Sequence, residues 1–408
     1  MARILFLAHR IPYPPNKGDK IRSWHMLEHL CRHHEVHLAY YVDDRRDLVH
    51  TEKLQGMVKS QAFATVSKWW QKLRALTGLL SGAPLTVAAY PKGKLGRYCH
   101  ALLDAGEIDL VFLFSGAVAP LVFARGTPPC PVVADLVDVD SAKWQAYATS
   151  AHWPMSWLYA REHRTLAAYE REIAAQAAAT LLVSEDEAAL FRAGVSAELG
   201  SKVRAVLNGV DLERFDPGRY PAPDNVVRQV IFTGAMDYAP NVEAARWFVK
   251  AVWPRVHAAM PDASFVIAGG PVSTAVAELG QAPGVSVLGY VDDMAATIAG
   301  AQVVVAPLLT ARGIQNKVLE GMAMAKPVVA TGAAKEGIAA TAGRDLVVAD
   351  DPGDFAQQVQ DLLRDREKRE QIGTAARRYV EAVHSWPHCL EALDKTLDAT
   401  RAGGKAIS

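Results

Sequence analysis

Short apolar runs alternate along the chain with longer stretches whose apolar residues recur at helical spacing. "RILFLAH" leads into the helix-patterned "GDKIRSWHMLEHLCRHH", and "EVHLAYYV", "IDLVFLF", "CPVVADLVDV" and "AATLLVS" follow as further strands. Strands that alternate with helices in this way build a parallel sheet covered on both faces. The rhythm breaks at "SKVRAVLNGVDLERFDPGRYPAPDNV", where Asn, Gly, Pro and Asp collect and the apolar periodicity fades, the mark of a linker. A second series then begins: "VVRQVIFTG", a helix through "NVEAARWFVKAVWPRVHAAM", then "ASFVIAGG", "VSVLGYV", "QVVVAPL" and "KPVVAT". From about Asp354 onward the chain is helical and charged.

These elements predict an α/β protein of two Rossmann-like domains facing each other across a cleft. The N-terminal domain spans 1–205, the linker 206–226 and the C-terminal domain 227–375, and the helices of 376–408 pack back toward the N-terminal domain. In such sheets ligands sit outside the carboxyl ends of the strands. Functional residues are therefore expected in the loops there, in both domains.

Composition narrows the picture. The 408 residues suffice for two cores. Acidic and basic residues balance to a formal net charge of zero, which argues against a dedicated nucleic-acid binder. Cys31, Cys99, Cys130 and Cys389 lie far apart with no C-x-x-C pair, so neither a disulfide framework nor a structural zinc site is expected. A reduced cytoplasm fits. The apolar run Ile4–Ala8 ends in His9-Arg10 and is too short for a signal sequence. No stretch reaches the roughly 18 apolar residues that a spanning helix needs.

The stretch "LLTARGIQNKVLEGMAMAKPVVAT" carries the first candidate chemistry. A strand ends near Leu308 and a helix starts near Ile314; Ile314, Val318, Leu319 and Met322 fall at helical spacing and pack on the sheet. The N–H groups of Gly313, Ile314, Gln315 and Asn316 are unpaired at the helix start, a ready anion site. Arg312 and Lys317 add charge suited to a diphosphate, and Glu320 accepts two hydroxyl hydrogen bonds, as from a ribose. The alternative is an ordinary i,i+3 Lys–Glu pair on a solvated helix face.

Other segments carry weaker signals. In "PPNKGDKIRS", Gly18 lets the backbone approach a phosphate or sugar, Lys17, Lys20 and Arg22 add charge, and Asp19 is a first-turn acid. The spacing is not G-x-G-x-x-G, so a dinucleotide oxidoreductase is disfavoured. "DLVDVDSAKW" sets Asp135, Asp138, Asp140 and Ser141 at a strand end, with Asp140 or Ser141 as a helix cap. Ser184 and Glu187 have capping-box spacing. In "SKWWQKLRALTGLL", Trp69, Trp70, Leu73, Leu76 and Leu80 lie on one side, with Lys68, Lys72 and Arg74 elsewhere. That pattern is either a core-facing helix of the first domain or a basic helix lying on a membrane surface.

Taken together, "GIQNKVLEGMAMAKPVVAT", "VLNGVDLERFDP" and "FVIAGG" followed by "VSVLGYVDDMAATIAGAQVVVAPL" resemble glycosyltransferase family 4, retaining enzymes of the GT-B fold. "RIPYPPNKGDKIRSWHMLEHL" and "DLVDVDSAKWQAYA" are similar to its exosortase-associated exopolysaccharide branch. The resemblance implies that Glu320 binds the nucleotide ribose and that Gly289 to Val291, flanked by Tyr290, hold the base. It further implies that the loop of Gly18, Asp19 and Lys20 closes over the donor diphosphate and acceptor, and that Gly234 lines the donor site.

Three departures stand out. The family's partner glutamate falls on Arg312; its two diphosphate-neutralising cations fall on Ala235 and Pro240; and its catalytic histidine falls on Val137, beside Asp138. Asp138 thus becomes the candidate for contacting acceptor or donor sugar, and Arg312 with Lys317 for neutralising the diphosphate without a metal. The expected function is retaining transfer from a nucleotide-diphosphate sugar to a glycan or lipid-linked acceptor in bacterial exopolysaccharide synthesis. It needs no cofactor and places the protein in the cytoplasm, in peripheral contact with the inner membrane. A nucleotide-sugar epimerase of the same shape, or a non-catalytic module binding sugar nucleotide or glycan, are the alternatives.

Overall fold

The computed structural model describes residues 1–220, 228–311 and 313–404. Two compact units emerge, one formed by Met1–Val206 with the chain from Leu390 onward, the other by Leu207–Cys389.

The first unit is built on a seven-stranded sheet: β1 (Arg3–Ala8), β2 (Glu35–Val42), β3 (Ser60–Thr65), β4 (Leu110–Phe114), β5 (Val132–Val137), β6 (Ala179–Leu182) and β7 (Val203–Ala205). Their order is β3-β2-β1-β4-β5-β6-β7, all parallel. The order reverses between β1 and β4, the switch point at which such sheets bind ligands. β4 is buried along its whole length, as a strand covered on both faces must be. Leu5, Leu7, Val111 and Leu113 from the central strands meet Leu95, Cys99 and Leu121 from the covering helices in one core.

Arg22, on the helix Gly18–His33, is fully buried. Its guanidinium grips Asp135 at the end of β5 through Nε at 2.8 Å and Nη2 at 3.3 Å, and its Nη1 donates to the carbonyl of Val206 at 2.7 Å. An ion pair so enclosed depends on both partners, because either charge alone would be buried and uncompensated. His29 of the same helix bonds Asp394 Oδ1 at 2.8 Å, which ties the C-terminal helix Trp386–Gly404 into this unit.

The second unit has six parallel strands: β8 (Gln229–Thr233), β9 (Ser264–Ala268), β10 (Val285–Gly289), β11 (Val303–Ala306), β12 (Val328–Ala330) and β13 (Val347–Val348). They run in the order β10-β9-β8-β11-β12-β13, with the switch point between β8 and β11. The ends of β8 and β9 approach so closely that a Cβ on Gly269, at φ +108°, would stand 2.2 Å from the carbonyl oxygen of Gly234. Only glycine fits there.

Boundaries differ from the sequence expectation in two places. β7 ends at 205, where the N-terminal domain was expected to end, but Leu207 to Tyr220, read as linker, cluster with the second unit. The remaining linker, together with Val227, lies outside the described residues. The second unit also runs past 375, through the helix Arg366–Val383, and the chain leaves it inside Trp386–Gly404.

The helix Lys68–Ser81 corrects one of its two readings. It does not face the core: within it only Gly78 is buried, while Trp69 and Trp70 are each 61% and Leu80 is 93% exposed. It touches its unit through Gly78, whose carbonyl accepts from Arg161 Nη2 at 2.5 Å. A side chain at Gly78 would collide with the Ala83 carbonyl, so only glycine allows this close approach. Among the described residues no helix is long and apolar enough to cross a membrane.

Candidate functional site

In the second unit the helix of the signature stretch spans Asn316–Ala323, two residues later than its apolar spacing implies, because Gln315 is extended and serves as the N-cap. No side chain caps it. The N–H groups of Val318 and Leu319 donate to the Gln315 carbonyl, which leaves those of Asn316 and Lys317 to a ligand or to water. Val318, Leu319 and Met322 are fully buried and Ile314 nearly so, as their spacing requires.

Lys317 and Glu320 are half-buried, not on a solvated face. Lys317 Nζ donates to Asn241 Oδ1 at 2.6 Å, and Asn241 Nδ2 donates to the Ala235 carbonyl at 2.9 Å. The ammonium also lies over the Phe232 ring, 5.2 Å from its centroid. Gly234 sits between these groups, with no room for a Cβ beside the Asn241 amide. So the helices following β8 and β11 meet at the switch point through a lysine and an asparagine.

Electrostatically the pair is poised. Burial pulls the Lys317 ammonium down to about 8, against the opposing pull of Glu320. Burial pushes the Glu320 carboxyl up to about 7, only partly offset by Arg214 and then Lys317. Among the described residues nothing hydrogen-bonds the Glu320 carboxylate, so it remains open to a hydroxyl donor. Arg312 lies outside the described residues. Asn316 is held by Asn208 of the "NGVD" turn, at 3.4 Å, and Gln315 by its own bond to the Gly313 carbonyl at 3.2 Å. Tyr290 is 64% exposed after β10, its ring against Gly270, and Val291 is half-buried beside it.

Two residues here escaped the sequence reading. Asn241 adjoins Pro240, where a family cation falls, and its amide now anchors the lysine. Arg214, within the "NGVDLERF" turn, bears on Glu320; it lines a hollow of about 370 Å³ with Arg219, Tyr220 and Asp293. The motif was visible, but nothing in its spacing tells which strand end its arginine faces.

In the first unit Gly18 is exposed at a helix start, but its neighbours are engaged. Lys20 is buried and donates to Asp47 at 2.9 Å. Asp19 meets His9 and Arg10. Burial works against its ionisation, but the bond from His9 and the charge of Arg10 outweigh this and hold its carboxyl below the usual range. Asp138 follows β5, half-buried, with a buried Oδ1 that has no hydrogen-bond partner. Burial, then the charges of Glu187 and Asp140, push its carboxyl up to about 7. Neither expected cap forms: the helix Asp140–Ser150 has Val139 as its N-cap, and Glu170 from a neighbouring helix accepts from Ser141 instead. Ser184 does accept from the Glu187 N–H, at 3.2 Å.

Residues 227–365 match the family model described as Glycosyl transferases group 1. No curated protein sequence matches the chain. Among solved structures, Alr3699/HepE of Anabaena in complex with UDP and glucose is 14% identical, with TM-score 0.66, covering 98% of this chain and all of that one. Sucrose-phosphate synthase of Thermosynechococcus elongatus is 16% identical, with TM-score 0.70 over 99% of this chain and all of its own. WaaG, a glycosyltransferase of lipopolysaccharide biosynthesis, is 14% identical, with TM-score 0.59 over 96% of this chain and 99% of its own. With its two parallel-sheet α/β units the chain thus matches structures of the GT-B fold.

Proposed function

We propose, from the glycosyltransferase group 1 domain at 227–365 and the fold around it, that this enzyme transfers a sugar from a nucleotide-diphosphate donor with retention of configuration. One observation carries the reading. At the β8/β11 switch point, Lys317 and Glu320 stand half-buried on a helix whose leading N–H groups no side chain caps. The lysine and the N–H groups of Gly313, Ile314, Gln315 and Asn316 receive the diphosphate, and Glu320 receives the ribose hydroxyls. Gly234 leaves space for the phosphates, and Tyr290 with Val291 holds the base. Arg312 shares the neutralisation of the leaving diphosphate, which proceeds on these cations without a metal. In the first unit the loop of Gly18, Asp19 and Lys20 borders the substrates, and Asp138 contacts a sugar hydroxyl. UDP is the favoured nucleotide, because HepE of Anabaena is seen with UDP, glucose and UDP-glucose.

The acceptor is a glycan or lipid-linked sugar in exopolysaccharide synthesis, a role supported by the likeness of "RIPYPPNKGDKIRSWHMLEHL" to that branch. The exposed face of the helix Lys68–Ser81, with Lys68, Lys72 and Arg74 beside it, supports docking on the anionic inner membrane.

The test is a thermal-shift screen against UDP- and GDP-sugars, followed by assay of the stabilising donor for sugar transfer. A ligand that binds only the folded state raises the melting temperature. Stabilisation by a UDP-sugar and release of UDP are expected; binding without turnover across a broad acceptor set would make it a binding module. Near-normal kcat in Arg312→Ala or Arg312→Glu would remove Arg312 from the scheme.

A further inference from the structure

The turn that carries Asp138 is held in an unusual way. Its N–H groups at Val137, Val139 and Ser141 each donate to a carboxylate. Val137 N–H goes to Asp135 Oδ1 at 3.0 Å, Val139 N–H to Glu187 Oε2 at 2.7 Å, and Ser141 N–H to Glu170 Oε1 at 3.0 Å. The Ser141 hydroxyl adds a 2.5 Å bond to Glu170 Oε2. All three acids are buried, and they come from β5 and from the separate helices Glu185–Ala193 and Met155–Gln176. Asp135 is in turn clamped by Arg22.

Within this frame the backbone is bent. Val137 has φ +69° and the Asp138 N–H reaches back to the Leu136 carbonyl at 2.9 Å, a γ-turn of the strained kind. A β-branched residue adopts that conformation only where its surroundings impose it. The effect is to set the Asp138 carboxylate beside a small cavity that also includes Thr86, Ser115, Gly116 and Tyr169. The cavity, about 40 Å³, has room for a hydroxyl group or a water. Asp138 Oδ1, buried and without a partner, is the acceptor such a group lacks.

We propose that Glu187 and Glu170 are positioning residues: they pin the 137–141 turn so that the unpartnered Oδ1 of Asp138 receives one hydroxyl of the sugar substrate. The inference rests on the glycosyltransferase reading for the identity of that hydroxyl, but the pinning does not. Glu187 acts twice, through its bond to Val139 and through its charge. The groups facing Asp138 are Glu187 and Asp140, which favour its neutral form, and Arg22 and Lys143, which favour the ionised one. Glu170, itself pushed up to about 7 by burial against the bonds from Ser141, and Asp135 complete the set.

The experiment separates place from charge in the full-length protein. Glu187→Gln keeps an oxygen for the Val139 N–H and removes the charge; Glu187→Ala removes both. With aspartates 13C-labelled at the carboxyl carbon, Asp138 is assigned by the resonance lost in Asp138→Asn. Its titration is expected near 7 in the wild type, about one unit lower in Glu187→Gln. Amide exchange at Val139 should stay slow in Glu187→Gln and accelerate in Glu187→Ala. The acid limb of UDP-glucose turnover should follow the Asp138 titration downward in Glu187→Gln, a shift that a purely structural role would not produce. An Asp138 titration unmoved by Glu187→Gln, or an acid limb that ignores it, overturns the proposal. A shifted titration with no turnover of any nucleotide sugar by the wild type leaves the pinning standing and overturns the transferase reading instead.

Discussion

Lys317 Nζ and Asn241 Oδ1 lie 2.6 Å apart, joining the helices that follow the two strands on either side of the β8/β11 switch point. The cation is thus fixed in place before any ligand arrives. A charge already positioned needs no reorganisation when it meets a phosphate.

Lys317→Met should therefore weaken UDP binding by roughly tenfold or more, the size of a hydrogen bond to a charged group. Isothermal titration calorimetry reads this directly, and a change below threefold counts against the assignment. Because burial holds the ammonium near 8, wild-type affinity should also decline as pH rises from 7.5 to 8.5, where UDP keeps its own charge.

Glu320 should read the ribose. Wild type is expected to prefer UDP over 2′-deoxy-UDP by roughly tenfold at pH 8, and Glu320→Gln to narrow that ratio. The preference should shrink as pH falls through about 7, where the carboxylate takes up a proton. Equal ratios in wild type and variant would move the ribose contact elsewhere.

Asp138 is predicted to cost stability in its ionised form. Its folded pKa is raised above the ordinary carboxylate value, so the native state holds the proton more tightly than the unfolded chain. Its contribution is fully present below about pH 4 and is lost as pH rises through about 7. Asp138→Asn should then melt higher than wild type at pH 8, by up to about 4 kcal/mol at roughly 1.4 kcal/mol per unit, and the gap should close by pH 4. Urea unfolding at the two pH values checks it; a variant less stable at both would mean that the ionised carboxylate has a partner.

The parallel sheets were legible because β1, β2, β4 and β5 are apolar enough to declare burial on both faces. β3, "SQAFAT", was not: an edge strand has only one neighbour and is half-exposed, so its sequence carries less apolar signal. β7 is three residues long and sits in a stretch whose Asn and Gly content announces a turn. In the candidate site, Lys317 and Glu320 could be named from spacing on one helix. Asn241 could not, since its contact with Lys317 depends on the pairing of β8 with β11. Lys20 shows the same limit: its place in a glycine loop is visible in the sequence, but the Asp47 that the fold brings to it is not.

Arg22→Met should be strongly destabilising. It would leave Asp135 buried without its counter-ion and free the Val206 carbonyl. A loss of about 3–5 kcal/mol is expected for breaking such a pair. The double variant Arg22→Met/Asp135→Leu should recover much of it, which denaturation curves can measure. No recovery would show that the arginine acts mainly through Val206.

The exposed helix Lys68–Ser81 should bind anionic vesicles. Trp69→Glu/Trp70→Glu is expected to abolish co-sedimentation with phosphatidylglycerol-containing liposomes while leaving the melting temperature unchanged, since both side chains are already in solvent. Equal binding by wild type and variant would remove the membrane from the scheme.

The His29–Asp394 bond means that the first unit is discontinuous in sequence. During synthesis, its helix Gly18–His33 leaves the ribosome early, yet the residues that cover it from Leu390 onward arrive only after the whole of Leu207–Cys389 has been made. At roughly 5–20 residues per second that interval is on the order of ten seconds or more. The first unit is therefore born unfinished and closes last. A chain stopped between Val348 and its final helix carries every strand of both sheets but lacks the helix that completes the first unit.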